Sequence, residues 1–352
     1  MRRIPSRLRS AAPTVMLTLT AALGFACSSG STSSASAADA GDGAPKQVEG
    51  PDAGPSPGQV TLAAGITAYN LQVDATNVYA STETAIVKVP IAGGSPVTLA
   101  SVSQDNSISG LAVSSDSVYW SESGETDGGS DVLILSVPIS GGAVATIATV
   151  SGFASALATD ATSLYWSGSA TTGSCPSPPC STLSKAPLAG GTPLLLTSNA
   201  GNPTYLAFDD SNVYWSTSDG RLLKESKTGG TVTTLADFST SIVGLGLQGS
   251  TLYWGTSGGD VYATPSGGGT SKPIEIGLSS MQTSVVGADG VYWVGVNYSA
   301  NSAASDLSRT PLDGGTTQAL WRLQNDDVYA MAVDSKSVYV STYMSGLLKL
   351  AK

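Results

Sequence analysis

The sequence contains no histidine among its 352 residues. Histidine is the most frequent general acid–base group and the most frequent metal ligand near neutral pH. Its absence excludes Ser-His-Asp catalysis, Cys-His catalysis and histidine-ligated metal sites. No catalytic residues are predicted from the sequence.

Basic residues and long apolar runs are also scarce. The chain has 16 Lys and Arg against 26 Asp and Glu, and four of the basic residues lie within residues 1–26. An acidic surface repels phosphate groups, so neither nucleic acid nor anionic lipid is expected as a partner. After residue 26 no apolar run is long enough for a transmembrane helix.

Residues 1–26 predict a lipoprotein signal peptide. Four arginines within the first nine residues precede an apolar stretch over 11–23, which is too short to span a bilayer. The segment Gly-Phe-Ala-Cys at 24–27 resembles a bacterial lipobox, although glycine stands where leucine is usual. We therefore expect export to the cell envelope, lipidation of Cys27 and anchoring to a bacterial membrane, either the outer membrane or the periplasmic face of a membrane. The alternative is ordinary signal-peptidase cleavage near the Ala-rich segment 35–40.

Residues 27–57 predict a disordered linker behind the lipidated cysteine. The segment consists largely of Ser, Ala, Gly, Asp and Pro and offers almost nothing to bury. Such a linker would hold a folded domain away from a membrane surface. The residues from 58 to 352 suffice for one large domain.

Two further cysteines, Cys175 and Cys180, lie five residues apart in a Pro-rich segment. In an exported protein this spacing favours a disulfide that pins a loop. The alternative, a zinc site, would need thiolate or imidazole ligands that the chain lacks.

A repeated phrase predicts the fold. It comprises a short apolar strand, a turn containing Asp, and an aliphatic residue followed by Tyr and usually Trp. The repeat tyrosines are Tyr79, Tyr119, Tyr165, Tyr214, Tyr253, Tyr292 and Tyr339. A period of 39 to 49 residues with about four strands per repeat is typical of an all-β protein, a β-propeller with seven four-stranded blades over 58–352.

The recurring residues of the repeat have structural interpretations. The turn carboxylates, at Asp74, Asp116, Asp160, Asp209 or Asp210, Asp289 and Asp334, are expected to cap the backbone. The Gly-Gly pairs supply positive φ for tight hairpins. The Tyr-Trp pairs are expected to fill the wedges between blades. An exposed row of Trp that stacks on sugars is the alternative.

The phrases Asp-x-x-x-Leu-Tyr-Trp-Ser and Pro-Leu-x-Gly-Gly resemble the YWTD repeats of low-density-lipoprotein-receptor propellers. They are similar, too, to repeats of uncharacterised bacterial envelope lipoproteins. The resemblance covers roughly 58–352 and implies a propeller that serves as a binding module. Two features depart from the receptor repeats: the closing Thr-Asp is absent, and seven repeats replace six. Seven-bladed lyases that inactivate virginiamycin also resemble the chain in outline, but their chemistry relies on histidine.

The last repeat ends after its third strand. Gln59-Val60-Thr61-Leu62-Ala63 matches the fourth-strand phrase of the first repeat. We expect this N-terminal strand to complete the last blade, because pairing removes an exposed strand edge.

Extra residues in the second, third and sixth repeats indicate where a ligand could bind. They are assigned to loops at 121–131, 167–182 and 294–305, which share one rim with the loops that lead into each first strand. Neutral length variation is the alternative. The candidate ligand-binding residues are Glu122, Glu125, Asp127, Asp131, Asn297, Tyr298, Gln324, Asn325, Asp326 and Asp327.

No cofactor is predicted. The four acidic residues over 122–131 are oxygen ligands of the type that calcium accepts, but they lack the regular spacing of an EF-hand. A solvated acidic loop is therefore preferred to a calcium site.

These features favour a non-enzymatic envelope lipoprotein that presents a propeller to an unknown protein, peptide or glycan. One alternative is a glycan-active enzyme that uses two carboxylates, but the first strands carry almost no acidic residues. The other alternative is a structural spacer within an envelope assembly.

Overall fold

The computed structural model describes residues 58–123, 131–170, 180–299, 302–324 and 326–352. These ranges form seven four-stranded antiparallel sheets, so the predicted seven-bladed β-propeller is confirmed. No helix capable of crossing a membrane is present in them. The predicted signal peptide and linker lie outside these ranges.

Each blade contributes its first strand to the wall of a central channel, and contacts between successive first strands close the ring. These seven inner strands are β2 (Asn70–Val73), β6 (Ser107–Val113), β10 (Leu157–Thr159), β14 (Pro203–Phe208), β18 (Ile242–Gln248), β22 (Met281–Val286) and β26 (Val328–Val333). The second strands, which carry the repeat tyrosines, are β3 (Asn77–Ser81), β7 (Ser117–Ser123), β11 (Ser163–Ala170), β15 (Asn212–Thr217), β19 (Thr251–Thr256), β23 (Gly290–Ser299) and β27 (Ser337–Thr342).

The two outer strands of each blade complete the sheet. The third strands are β4 (Ala85–Pro90), β8 (Asp131–Pro138), β12 (Cys180–Pro187), β16 (Arg221–Ser226), β20 (Val261–Pro265), β24 (Ser302–Pro311) and β28 (Gly346–Ala351). The fourth strands of blades 1 to 6 are β5 (Val97–Ser101), β9 (Ala145–Ser151), β13 (Leu194–Thr197), β17 (Thr233–Asp237), β21 (Lys272–Glu275) and β25 (Gln318–Gln324).

The N-terminal strand β1 (Gln59–Ala63) is the fourth strand of blade 7, as predicted. It pairs antiparallel with β28, and Gln59 lies opposite Leu350. Leu62 and Ala63 are buried in the apolar cluster that blades 1 and 7 share. The first and last strands of the domain therefore hold the ring closed by a lateral β-pairing.

The Tyr-Trp pairs form the core between blades, as predicted. All five tryptophans that follow a repeat tyrosine are buried, and six of the seven repeat tyrosines are buried with them. Tyr253 is half-buried and is the exception. The alternative of an exposed tryptophan row is therefore wrong.

The Gly-Gly hairpins also form as predicted. In blade 1, Gly93 and Gly94 have φ values of 89° and 140°, and the Gly93 N–H donates to the carbonyl of Pro90. The same turn recurs at Gly141 and Gly190. Glycine is required because other residues rarely adopt these φ values.

Four aspartates shape the turns between first and second strands. In each turn one carboxylate oxygen accepts two backbone N–H groups, and the other accepts the hydroxyl of the repeat tyrosine five residues later. These aspartates are Asp74, Asp160, Asp209 and Asp334. The predicted cap is thus confirmed, and its bond to the tyrosine is an additional finding.

Two of the predicted turn aspartates behave differently. In blade 2 the hydroxyl of Ser114 accepts the N–H groups of Asp116 and Ser117, so the prediction for Asp116 is wrong. Asp289 accepts the hydroxyl of Tyr292 from a position only three residues before it. The hydrogen bond from the repeat tyrosine to an aspartate is therefore present in blade 6, although the aspartate stands at a different position of the turn.

Candidate functional site at the channel entrance

The central channel opens on the rim where the inner strands begin. Its cavity there has a volume of about 330 Å³ and is lined by residues from all seven blades. Its polar side chains are amides, aliphatic hydroxyls and phenols, from Asn70, Gln72, Ser155, Thr204, Thr283, Ser284, Tyr69, Tyr205 and Tyr329. No described residue in this lining is a carboxylate, Lys or Arg. The wall can therefore hydrogen-bond an uncharged polar group.

The lining is held in place by hydrogen bonds across the channel wall. Asn70 donates its side-chain amide to the hydroxyl of Ser81 within blade 1. Tyr205 is half-buried, and burial raises the pKa of its phenol, partly offset by a hydrogen bond with Thr283 of blade 6. The phenol therefore remains protonated and can donate a hydrogen bond at physiological pH.

Close approach of neighbouring inner strands keeps the channel narrow beside blade 5. A Cβ atom on Gly244 would lie 2.2 Å from the carbonyl oxygen of Ser284, and one on Gly246 would lie 2.5 Å from Cβ of Val286. Larger residues at Gly244 or Gly246 would push blades 5 and 6 apart.

Three exposed tyrosines form a cluster beside the channel entrance, and we call Tyr69, Tyr329 and Tyr343 the tyrosine cluster. The ring centroids of Tyr69 and Tyr329 are 5.6 Å apart, and those of Tyr329 and Tyr343 are 6.3 Å apart, with each pair inclined at 65°. The exposed fractions are 49%, 42% and 66% in the same order. Tyr69 and Tyr329 also line the channel cavity, so the cluster and the cavity are continuous.

Blade 7 positions the cluster through Asp326. This carboxylate is buried and accepts the backbone N–H groups of Met344 and Ser345, at 2.7 and 3.0 Å. The Tyr343 N–H donates to the carbonyl of Asp327. The hairpin that carries Tyr343 is therefore tied to the start of β26, next to Tyr329.

Asp326 and Asp327 are the predicted candidates that adjoin this site. Asp327 is exposed, and burial together with the Asp327 carboxylate raises the pKa of Tyr329. Asp326 is a positioning residue, because both of its carboxylate oxygens are used within the hairpin. Asn325 lies outside the described residues.

The acidic candidates of blade 2 do not form a described ligand site. Glu122 lies in β7, where its carboxylate accepts the Asn106 amide at 2.6 Å and the Trp120 indole N–H at 2.9 Å. Asp131 begins β8. Glu125 and Asp127 lie outside the described residues. Within the described ranges no group of three or more carboxylate or thiolate residues is placed to hold a metal ion.

Two of the predicted loops are shorter than expected, and one is nearly absent. Residues 294–305 form the ends of β23 and β24, strands of ten residues each, and Asn297 and Tyr298 lie opposite Ala304 and Ala303. Gln324 ends β25 and is not part of a connecting loop. These loop assignments were wrong because additional hairpin length was read as loop.

The cysteine predictions fall mainly outside the described chain. Cys27 and Cys175 both lie there, while Cys180 begins β12 opposite Ala170 of β11. Residues 167–170 and 180–182 of the predicted loop belong to β11 and β12. Lipidation of Cys27 and pairing of Cys175 with Cys180 stay predictions.

A second cavity, of about 550 Å³, lies between blades 1, 2 and 3 where their inner strands end. Its carboxylates, from Asp74 and Asp160, are engaged in the turns described above, and Asp160 also lies 2.7 Å from the ammonium of Lys227. Since these groups already have partners, the tyrosine-lined entrance is the stronger candidate site.

The tyrosine cluster was not predicted from the sequence. None of Tyr69, Tyr329 and Tyr343 was among the predicted ligand-binding residues, although Tyr69 and Tyr329 stand at the start of inner strands. Aromatic residues that depart from the repeat were the available signal.

Comparison with known proteins shows the fold alone. No protein-family model and no curated protein matches the chain. A catalytically inactive virginiamycin B lyase from Staphylococcus aureus with quinupristin has a TM-score of 0.61 at 13% identity, over 84% of this chain and 98% of that chain. YCF48 from Cyanidioschyzon merolae has a TM-score of 0.57 at 11% identity, over 84% and 99% of the two chains. YCF48 bound to D1 peptide has a TM-score of 0.57 at 12% identity, over 86% and 99%.

Proposed function

We propose that this protein is a non-enzymatic binding module that holds a protein or peptide segment at the channel entrance. The observation that carries the proposal is the tyrosine cluster, three exposed aromatic rings continuous with a neutral polar cavity. Tyrosine supplies a large contact area and a hydroxyl with little loss of side-chain freedom, and it is enriched at protein interfaces.

The chemistry of the entrance supports binding more than catalysis. The sequence lacks histidine, and the described channel lining lacks charged side chains. A carboxylate-dependent glycan-active enzyme would need two carboxylates across a bound sugar. Asp326 and Asp327 adjoin the cluster, but both carboxylate oxygens of Asp326 already accept backbone hydrogen bonds within the hairpin.

A peptide is the preferred ligand class. Side chains from several blades surround an opening whose wall offers amide and hydroxyl groups, which suit the backbone of an extended segment. A propeller of similar fold, YCF48, is known bound to a peptide, the D1 peptide.

The proposal places the module in a bacterial cell envelope, on a lipid attached to Cys27 and behind the 27–57 linker. The signal-like segment and the composition of the linker support this placement. A disulfide between Cys175 and Cys180 would suit the same oxidising compartment.

Site-specific photo-crosslinking in the producing cell tests the function. A photoreactive residue is placed at Met344, which is 70% exposed beside the cluster, or at the exposed Ser115 on the opposite face. We expect discrete protein adducts from the Met344 site that disappear in a Tyr329→Ala background. Equal adducts from both sites, or adducts from neither site, would contradict binding at the entrance.

A further inference from the structure

We propose that the tyrosine cluster and Asp327 recognise an alkylammonium group, as carried by a lysine side chain of the bound peptide. This inference rests on the proposed function and names the group that the entrance selects. Three features carry it: the geometry of the rings, the negative charge beside them, and the location of the described lysine–aromatic contacts at other rings.

The ring geometry leaves aromatic faces available. Tyr329 meets Tyr69 and Tyr343 edge to face, at 65° in both pairs, so the rings do not cover one another by stacking. Non-parallel rings that remain about half exposed can offer their faces to one small group. A cation is attracted to such a face when it lies within about 6 Å of the ring centroid.

The local charge favours a cation over a neutral group. Asp327 is exposed, and its carboxylate has no hydrogen-bond or ion-pair partner in the described part of the chain. Asp326, next to it, adds a second negative charge close to Tyr329. The protein as a whole has a formal net charge of −10, which raises the local concentration of basic ligands.

The lysines within the described ranges make their aromatic contacts away from this site. The described lysine–aromatic contacts pair Lys185 with Tyr165, Lys224 with Tyr214, Lys227 with Phe208 and Lys352 with Tyr292. None of them involves a ring of the tyrosine cluster. The protein thus builds cation–aromatic contacts with its own lysines elsewhere, while the cluster beside Asp327 is open to a lysine from outside.

The test titrates the full-length protein with four pentapeptides, Gly-Ser-X-Ser-Gly with acetylated and amidated ends, where X is lysine, trimethyl-lysine, acetyl-lysine or glutamate; the capped N-terminus leaves residue X as the only alkylammonium. Binding is followed by ¹³C-methyl NMR of methionine. Met331 lines the cavity and Met344 lies beside Tyr343, while Met281 is buried in a different cluster and serves as an internal reference. We expect lysine and trimethyl-lysine to shift Met344 and Met331, with binding about tenfold tighter than for acetyl-lysine.

Single substitutions test the contributions of the aromatic rings and of the Asp327 carboxylate separately. Tyr343→Leu and Asp327→Asn should each weaken binding of the lysine peptide several-fold, whereas Phe153→Leu should leave it unchanged. Phe153 is a matched control because it is 43% exposed and precedes an inner strand of a different blade. Raising the salt concentration should weaken the lysine peptide more than the acetyl-lysine peptide.

Two results would overturn the inference in different ways. Equal binding of the lysine and acetyl-lysine peptides would exclude recognition of the cation while leaving the peptide-binding function intact. Absence of shifts with every peptide would also overturn it, and the photo-crosslinking result would then decide the proposed function separately.

Discussion

At the residue scale, a single aspartate carboxylate ties the turn to the second strand in four of the blades. Asp209 accepts the N–H groups of Ser211 and Asn212 with one oxygen and the hydroxyl of Tyr214 with the other. Burial opposes ionisation of Asp209, but the hydrogen bonds from Tyr214 and Asn212 outweigh it and lower its pKa to about 2. The turn is thereby fastened to a buried aromatic ring of the core.

Replacing this carboxylate should destabilise the ring. We expect Asp209→Ala to lower the free energy of unfolding by about 2 kcal/mol, because four donors, the N–H groups of Ser211 and Asn212, the Asn212 side-chain amide and the Tyr214 hydroxyl, lose their acceptor. Urea denaturation at pH 7 measures the loss. The exposed neighbour Asp210→Ala is the control and should change stability by less than about 0.5 kcal/mol.

The pH dependence follows from the lowered pKa of Asp209. The carboxylate stabilises the fold above the unfolded-state pKa of about 4, and this contribution is lost as the pH falls towards 2. Asp209→Ala should therefore lose less stability than the wild type between pH 4 and pH 2. Equal losses in the two proteins would contradict this role of the turn.

In contrast to Asp209, Glu225 is a buried carboxylate whose pKa is raised. It is 1% exposed, and neither carboxylate oxygen has a hydrogen bond of ordinary geometry within the described chain. Burial raises its pKa, only partly offset by the backbone N–H of Gly230. At the corresponding register position, blades 5 and 6 have Thr264 and Thr310, which accept the indole N–H of a buried tryptophan. The carboxylate thus occupies a site where other blades have a satisfied hydroxyl.

Neutralising Glu225 should stabilise the protein. We expect Glu225→Gln to raise the free energy of unfolding at pH 7 by about 1–3 kcal/mol, because a buried unpaired charge is removed. For the wild type, a raised folded-state pKa means that stability increases as the pH falls through that pKa towards about 4.3. Thermal unfolding at pH 7 and pH 5 should show this increase in the wild type and a smaller one in the variant.

The exposed Glu83→Gln is the matched control for Glu225. It removes the same charge from the surface and should leave both the stability and its pH dependence close to those of the wild type. A Glu225→Gln variant that is no more stable than this control would show that the buried charge has a compensating partner.

At the scale of the element, strand identity was easier to predict than strand length. The Tyr-Trp strands and Gly-Gly hairpins could be predicted from local sequence, since consecutive large apolar residues indicate a strand buried on both faces and paired glycines indicate positive φ. The facing ends of the ten-residue strands β23 and β24, within 294–305, were assigned to a loop, because Ser-rich and Ala-rich segments carry little strand signal. Their pairing depends on neighbouring strands, including an ion pair between Asp306 and Arg322 of β25 at 2.7 Å.

The closing strand β1 should stabilise the whole ring. Leu62 is 6% exposed in the cluster between blades 1 and 7, whereas Val60, two residues earlier, is 50% exposed. We expect Leu62→Ala to cost about 2–3 kcal/mol and Val60→Ala less than about 1 kcal/mol. Deletion of 58–64 should lower the melting temperature further than Leu62→Ala.

Calorimetry tests whether β1 stabilises the whole ring or only the blade to which it belongs. Deletion of 58–64 should shift one cooperative transition of the entire domain, because the opened blade exposes an unpaired edge and the ring loses its closure. An unchanged melting temperature, or equal losses from Leu62→Ala and Val60→Ala, would refute the closing role of β1.

At the scale of the whole molecule, ring closure brings together residues that the sequence separates. Tyr69 belongs to the connection into blade 1, and Tyr329 and Tyr343 belong to blade 7. The Tyr69 and Tyr329 ring centroids are 5.6 Å apart only because the last blade returns to the first, whereas Tyr343 joins Tyr329 from within blade 7. The rim with the functional candidates was predictable from the topology, but this cluster required the number of blades and the closure to be known.

The lateral pairing of β1 with β28 has a topological consequence. Gly58 accepts a backbone hydrogen bond from Ala351, so the two ends of the described domain lie side by side in one sheet. A short turn joining them would make a circular chain, and new termini opened in another connection would yield a circular permutant with the same seven blades. The seven-bladed fold therefore does not depend on which connection carries the chain termini. A tether attached to a terminus could be placed at another blade without altering the fold.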